Sequence, residues 1–147
     1  MSPDQRATAV AHHLLDAEGT DWGISIEEAR LGYVRLRMTV RADMTNGHGN
    51  AHGGMIFALA DTAFAYACNA RNEASVAASA SILFLAPAPL GAQLVAEARE
   101  EALAGRSGAY SVLVRLSDGT AIAHFQGQSR KVGGPIITID CKEKSDG

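Results

Sequence analysis

The chain has 147 residues, of which 47% are apolar and 20% are charged, and its net charge is −3. This balance excludes a disordered chain and predicts one domain, residues 1–147, with a core over about residues 22–132. It offers no basic stripe for nucleic acid and no uncharged run long enough to span a membrane. Because the first residues also lack the basic and apolar regions of a signal peptide, we expect a cytoplasmic protein.

The first predicted elements are a short helix and two strands. Ser2 is a suitable helix cap with Pro3 in the first turn, and the helix should end near Glu18. Residues 22–40 then alternate between apolar and polar side chains, which is typical of half-buried strands, with a break at Gly32.

A long apolar helix is predicted next, from about Gly54 to Ala70. Apolar side chains cover every direction around its axis, which indicates a helix buried by a sheet. Its only charged side chain is Asp61. A carboxylate in such surroundings is costly, and its pKa should rise unless something supports the charge. Asp61 therefore lies at an exposed gap, pairs with an arginine, or has a chemical role.

Four strand segments follow the long helix. They end near Pro87, Gly105, Asp118 and Val132, and Asp118-Gly119 is a strong hairpin signal. Short turns join antiparallel neighbours, so we expect consecutive segments to pair. One sheet around one central helix is an α+β arrangement. Residues 133–141 have no predicted place, and the charged tail, 142–147, is expected to be loose.

The glycines at the start of the long helix form a second candidate feature. The amides of Gly53 and Gly54 are among those that a helix leaves unpaired, and the helix dipole adds positive potential there. Glycine also allows close approach of a ligand to the backbone. This corner could therefore bind an oxyanion or a carbonyl oxygen, or it could simply be a tight turn.

The spacing of these two features constrains any shared chemistry. Gly53 and Asp61 are eight residues apart, which is roughly 12 Å along a helix. A reacting carbonyl needs both groups within roughly 3 Å. Two copies with antiparallel helices side by side would bring each Asp61 to the other chain's Gly53. The chemistry therefore predicts an isologous homodimer with two shared sites.

These residues resemble a known family. The sequence HGG at 52–54, the apolar helix with Asp61, and the later LFLAPAPLG at 83–91 resemble the hotdog-fold acyl-CoA thioesterases, above all their phenylacetate-degradation (PaaI-type) branch. The resemblance implies a curved antiparallel sheet around one helix, dimers paired into tetramers, and hydrolysis of coenzyme A thioesters.

The resemblance also implies roles for individual residues. Asp61 matches the catalytic carboxylate, acting as nucleophile or as general base on water, and the Gly53 amide matches the group that binds the thioester oxygen. Asn46 and His52 match loop positions near the thioester, and Thr62 could orient the water. A water-holding serine found in some relatives is replaced here by Ala77, so that Ser79 or Ser81 would have to substitute.

The expected substrate contacts are less specific. Arg130 and Lys131 match the region where relatives often hold the nucleotide of coenzyme A, with Arg71 and Arg106 as weaker candidates. The acyl pocket is expected near Asn46, with Gly54, Met55, Phe57 and the partner chain. His48 and His52 are four residues apart but have no third ligand nearby, so we predict no metal, and the chemistry requires no cofactor.

The sequence therefore predicts a thioesterase that acts on phenylacetyl-CoA or hydroxyphenylacetyl-CoA in phenylacetate catabolism. Two alternatives remain open. An enoyl-CoA hydratase or dehydratase of the same fold would use Asp61 together with His52. A non-catalytic acyl-CoA sensor would bind the thioester without reaction.

Overall fold

The structure is a computed structural model and describes residues 1–139. The charged tail predicted at 142–147 and Cys141 lie outside the described residues. None of the described helices is long and apolar enough to cross a bilayer. The elements, in chain order, are α1 Pro3–Asp16, β1 Ser25–Arg30, β2 Tyr33–Thr39, a 3-10 turn Ala42–Met44, α2 Gly53–Cys68, β3 Ser75–Phe84, β4 Gln93–Ala104, β5 Ser107–Leu116 and β6 Ala121–Lys131.

The six strands form one antiparallel sheet in the order β1-β2-β4-β5-β6-β3, with α2 packed on one face. Its buried side chains alternate with exposed ones, so Val112, Val114 and Phe125 face α2 while polar residues face away. The predicted α+β arrangement is confirmed.

One predicted pairing is wrong. β3 does not pair with β4, which follows it in sequence, but with β6 at the opposite edge of the sheet. The connection, residues 85–92, is too long for a tight hairpin and crosses the start of α2. There the Ala51 amide donates to the Ala88 carbonyl at 2.8 Å. β3 is therefore an edge strand, and nearly all its residues are exposed.

Helix α1 begins as predicted and ends slightly earlier than expected, at Asp16. Ser2 and Gln5 form a reciprocal capping box, and Pro3 occupies the first turn. The buried face of α1 consists of Ala7, Val10 and Ala11.

The composition of helix α2 predicted burial on all sides, and this prediction is wrong for one side of the helix. Leu59, Ala60, Ala63 and Phe64 are fully buried in the core. The opposite side of the helix forms a partly exposed stripe, which we call the α2 stripe. It consists of Gly54, Phe57, Ala58, Asp61, Ala65 and Cys68. Its residues recur at three- and four-residue intervals, the spacing of a helix face that packs against another helix.

The C-terminal end of α2 is tied to the sheet by side-chain hydrogen bonds. Buried Asn69 donates to the Ala65 and Ser75 carbonyls at 2.8 and 3.2 Å and accepts from the Ser75 amide at 2.8 Å. Arg71 binds Glu100 through two nitrogens, and Glu100 also accepts from the Tyr110 hydroxyl at 2.9 Å.

Residues 133–139 had no predicted place, and in the structure they are hydrogen-bonded to the turn after α2. The Asn72 side chain accepts from the Ile136 and Ile137 amides, both at 2.8 Å, and donates to the Ile137 carbonyl at 2.9 Å. Asn72 has φ of 61°, a left-handed conformation that asparagine tolerates better than most residues.

Candidate functional site

The loop before α2 is folded around the side chain of Asn46. The side-chain Oδ1 accepts from the backbone amides of His48 at 2.9 Å and Asn50 at 3.3 Å. The backbone amide of Asn46 donates to the Asn50 carbonyl at 2.7 Å. The His52 amide donates to the Met44 carbonyl at 2.8 Å, which closes the loop against the preceding turn. Asn46 therefore fixes the corner from which α2 begins.

The start of α2 leaves two amides unpaired. His52 is the N-cap residue, its exposed side chain makes no capping bond, and its carbonyl accepts from the amides of Met55 and Ile56. Within residues 1–139, the amides of Gly53 and Gly54 donate to no acceptor. Two adjacent donors at a helix N-terminus form a site suited to a negatively charged oxygen.

Asp61 lies half-buried in the α2 stripe. In the described part of the chain, no cation or hydrogen-bond donor pairs with its carboxylate, so the alternative in which Asp61 pairs with an arginine is not found. Burial raises the pKa of Asp61, and the nearby carboxylate of Glu18 raises it further. Glu18 follows α1 and accepts a hydrogen bond of 3.0 Å from the buried Tyr66 hydroxyl.

Thr62, next to Asp61, is buried and faces the core. Its hydroxyl donates to the Ala58 carbonyl at 2.7 Å, which leaves it only acceptor capacity toward a water.

The serines considered as water ligands lie on the other face of the sheet. Ser79 and Ser81 pair with Gln128 and Gln126 and line a polar groove of about 610 Å³ together with Glu101. Neither Asp61 nor Gly53 lines this groove. Within one protomer, these serines therefore lie across the sheet from Asp61.

One protomer does not bring Asp61 and Gly53 together. Both belong to α2, which is a continuous helix over Gly53–Cys68, so they remain roughly 12 Å apart along its axis. The constraint derived from the sequence therefore applies to the folded chain.

A cleft of about 330 Å³ adjoins the start of α2. Asn46 and Gly53, both predicted site residues, line it together with Ile56. The opposite wall is the end of β3 and the following turn, with Phe84, Leu85, Ala86 and Pro87. Sequence reasoning missed this wall because residues 83–91 were recognised only as a family signature, not as part of a site.

Met55 and Phe57, predicted acyl-pocket residues, do not line this cleft. Both are partly buried against the core, and the Phe57 ring meets Phe125 edge-on with centroids 5.4 Å apart. Gly54 is exposed at the start of α2.

The predicted nucleotide-binding residues differ in their surroundings. Lys131 forms a 2.8 Å ion pair with Glu73. Arg130 is exposed and makes no ion pair within residues 1–139. Arg71 is bound to Glu100, so its charge is already compensated within the protomer.

Comparison with known proteins identifies relatives across most of the chain. A model of the thioesterase superfamily matches residues 48–123. The acyl-coenzyme A thioesterase PaaI of Escherichia coli is 40% identical over 136 residues, which are 92% of this chain and 97% of that protein.

Two solved structures show the same fold. The E. coli PaaI protein from the phenylacetic acid degradation operon superposes with a TM-score of 0.88 at 37% identity, covering 91% of this chain and 99% of that one. A mutant of the phenylacetic acid degradation protein PaaI from Thermus thermophilus superposes with a TM-score of 0.72 at 36% identity, covering 76% and 95%. The chain therefore belongs to the thioesterase superfamily, and it is a thioester hydrolase with the predicted hotdog fold.

Proposed function

We propose that this protein is an acyl-CoA thioesterase that hydrolyses phenylacetyl-CoA or hydroxyphenylacetyl-CoA to the free acid and coenzyme A, in phenylacetate catabolism. The observation that carries the proposal is that α2 carries two kinds of group without a partner within residues 1–139: the Asp61 carboxylate, and the amides of Gly53 and Gly54. The similarity to a named acyl-CoA thioesterase over 92% of the chain supports the substrate class.

The working enzyme is a homodimer in which each site takes Asp61 from one protomer and the partner's Gly53. Two features support this arrangement. The α2 stripe leaves Asp61 on a partly exposed helix face. Beside it, β3 is an edge strand whose exposed apolar side chains include Val76 and Leu83. An exposed edge with apolar side chains favours pairing with another chain. Two such dimers pair to form the tetramer.

The reaction needs no cofactor. The Asp61 carboxylate attacks the thioester carbon directly, or removes a proton from the water that attacks it. The developing oxyanion accepts hydrogen bonds from the partner's Gly53 amide, placed where negative charge accumulates. The thiolate of coenzyme A then leaves. When Asp61 is the nucleophile, water then hydrolyses the resulting anhydride and releases the free acid. Asn46 holds the loop that places the amide. His52 and Thr62, the chain neighbours of Gly53 and Asp61, act as positioning residues.

The nucleotide of coenzyme A carries several phosphates and requires cations. We assign Arg130 the main contact because it has no ion pair in the described chain, whereas Glu73 already compensates Lys131. Replacing Arg130 with Ala should raise KM with little change in kcat. The same replacement at Lys131 should have the smaller effect.

One assay separates this proposal from its alternatives. Phenylacetyl-CoA and crotonyl-CoA are each incubated with the protein, while free thiol and the enoyl double bond are followed. Thiol release from phenylacetyl-CoA supports the proposal. Loss of the double bond without thiol release would identify a hydratase, and binding without either reaction would identify a sensor.

A second experiment distinguishes the two roles of Asp61. A single turnover in ¹⁸O-labelled water places label in the Asp61 carboxylate only if an anhydride with Asp61 forms and is then hydrolysed at the Asp61 carbonyl. Label in the product acid alone is expected for direct attack by water and equally for an anhydride that water opens at the acyl carbonyl, so label in Asp61 is the decisive outcome.

A further inference from the structure

Phe84 contacts the glycine corner directly. It is the last residue of β3 and pairs with buried Ala123, which turns its side chain to the face that carries α2. A Cβ atom placed on Gly53 would lie only 3.0 Å from Phe84 Cζ and 3.4 Å from Cε1. The ring therefore packs on the Cα of Gly53 and occupies the space of a larger side chain.

The ring is nevertheless open to the cleft. Phe84 is 54% exposed, although it is a large apolar side chain in contact with the helix start. It lines the 330 Å³ cleft with Ile56, Leu85 and Pro87, so the walls are mainly apolar, and Asn46 and Asn50 supply the polar side chains. A thioester oxygen bound by the Gly53 amide would place the adjoining atoms of the substrate against this ring.

The chemistry of the walls indicates which part of the substrate lies there. The nucleotide of coenzyme A requires cations, and its pantetheine arm carries two amides that need hydrogen-bond partners. The acyl group needs neither. An apolar cleft with an aromatic wall fits an aromatic acyl group best, because rings gain an edge-to-face or offset contact beyond simple burial.

We propose that Phe84 is a specificity-determining residue, whose ring forms the wall against which the acyl group packs while the Gly53 amide holds the thioester oxygen. This inference rests on the proposed thioesterase function. It is also consistent with glycine at position 53, where a Cβ would require the ring to shift by a few tenths of an ångström.

The test compares an aromatic and a linear acyl group of similar size. For phenylacetyl-CoA relative to hexanoyl-CoA, Phe84→Leu should lower the ratio of kcat/KM values roughly three- to tenfold. Leu83→Ala is the matched control, since Leu83 is the neighbouring exposed apolar residue of β3 but lies on its opposite face. It should leave the ratio unchanged. An unchanged ratio in Phe84→Leu would overturn the proposal.

Subunit association is measured on the same samples because β3 is an edge strand. If Phe84→Leu lowers the molecular mass in solution and reduces both activities equally, the ring serves the interface between copies, and the proposal is wrong. An unchanged mass with a selective loss supports it.

A binding experiment keeps the inference separate from the proposed reaction. The unreactive thioethers S-(2-phenylethyl)-CoA and S-hexyl-CoA are titrated into wild type and Phe84→Leu by calorimetry. Selective weakening of binding of the aromatic ligand supports Phe84 as the acyl wall. Absence of thioester hydrolysis would reject the proposed function but not this assignment. Equal weakening of both ligands, or none, would reject the assignment of Phe84.

A double-mutant cycle tests the contact itself. The methyl group of Gly53→Ala should lower kcat/KM and aromatic-ligand affinity when the Phe84 ring is present, and should cost less in a Phe84→Ala background. Additive effects would show that the two positions do not interact, contrary to the proposal.

Discussion

The two ends of α2 are built in opposite ways. At the C-terminal end, Asn69 satisfies two carbonyls and an amide, and Arg71 joins Glu100 in a bidentate pair. At the N-terminal end, His52 makes no capping bond, and the amides of Gly53 and Gly54 have no acceptor in residues 1–139. Every helix leaves unpaired backbone groups at both ends, so the difference lies in what satisfies them.

This difference separates stability from chemistry along one helix. Side chains of the same protomer complete the C-terminal end, so changes there should affect folding. The N-terminal end is left for a ligand, so changes there should affect turnover. The variants below test this division in order of decreasing expected effect.

The largest effect should come from Asp61, which lies between the two ends. Because a positioned base or nucleophile is lost, Asp61→Asn should lower kcat about 10²- to 10⁴-fold. The measurement is thiol release from phenylacetyl-CoA, with circular dichroism to confirm folding. Turnover within threefold of wild type would remove Asp61 from the mechanism.

The same variant should be more stable than wild type at neutral pH. The folded-state pKa of Asp61 is raised by burial and by Glu18, so the folded protein holds this proton more tightly, and stability falls as pH rises through that pKa. Asparagine cannot ionise and avoids this loss. Thermal unfolding should show a higher Tm for Asp61→Asn at pH 7, and the gain should vanish below the unfolded pKa of about 3.9. A lower Tm at pH 7 would contradict this account.

The second effect concerns the amide of Gly53. Gly53→Pro removes the N–H at the first helical position, where proline is tolerated, and His52 already has the extended backbone that precedes proline. Losing one oxyanion donor should raise the barrier by about 2.7–4 kcal/mol. Gly53→Ala is the control, because its Cβ meets the same Phe84 ring but the amide remains. If both variants lose the same activity, the contact with Phe84 matters and the amide does not.

How much of this could be predicted from the sequence differs between the two ends. The N-terminal end could be predicted because its signals are local. Gly53 and Gly54 mark a helix start, and the spacing from Gly53 to Asp61 fixes their separation. The C-terminal end could not, because its partners are distant in sequence. Arg71 and Glu100 are 29 residues apart, and nothing in either segment indicates that they meet.

The two wrong predictions about the fold both concern packing that composition alone does not reveal. β3 pairs with β6 because residues 85–92 cross the start of α2, and composition does not reveal a crossing. The α2 stripe was missed because alanine, glycine and cysteine suit both a core and a helix-to-helix contact. Phe84 was missed for a related reason, since only the pairing of β3 with β6 brings it to Gly53.

The third effect tests the C-terminal end. Asn69→Ala removes three hydrogen bonds from a buried position and leaves the Ser75 amide and two carbonyls without that partner. We expect a loss of about 1–3 kcal/mol in the free energy of unfolding, measured by urea denaturation, with kcat unchanged well below Tm. Gln93→Ala removes one exposed hydrogen bond, to Thr39, and should have almost no effect. A large fall in kcat for folded Asn69→Ala would break the division between the two ends.

The smallest effect links the hydrogen-bonded half of the helix to the reaction. Tyr66 holds Glu18 at 3.0 Å, and the charge of Glu18 contributes to the raised pKa of Asp61 after burial. The catalytic form of Asp61 is the carboxylate, so kcat/KM should rise with pH through that pKa. Glu18→Gln keeps an acceptor for Tyr66 but removes the charge, which lowers the pKa of Asp61. The acidic limb of the pH profile should therefore move to lower pH.

The source of this shift can be separated from a general change in net charge. Glu101→Gln removes the same charge on the opposite face of the sheet, where Glu101 lines the polar groove, and should leave the limb in place. Cys68 adds no charge near Asp61 over this pH range, because burial raises the pKa of its thiol to about 12 and keeps it neutral. Glu18 is exposed, so added salt should screen its effect and bring the wild-type limb closer to that of Glu18→Gln. Equal shifts in both variants would indicate a general effect of net charge. A difference that salt does not reduce would mean that Glu18 acts through folding and not through its charge.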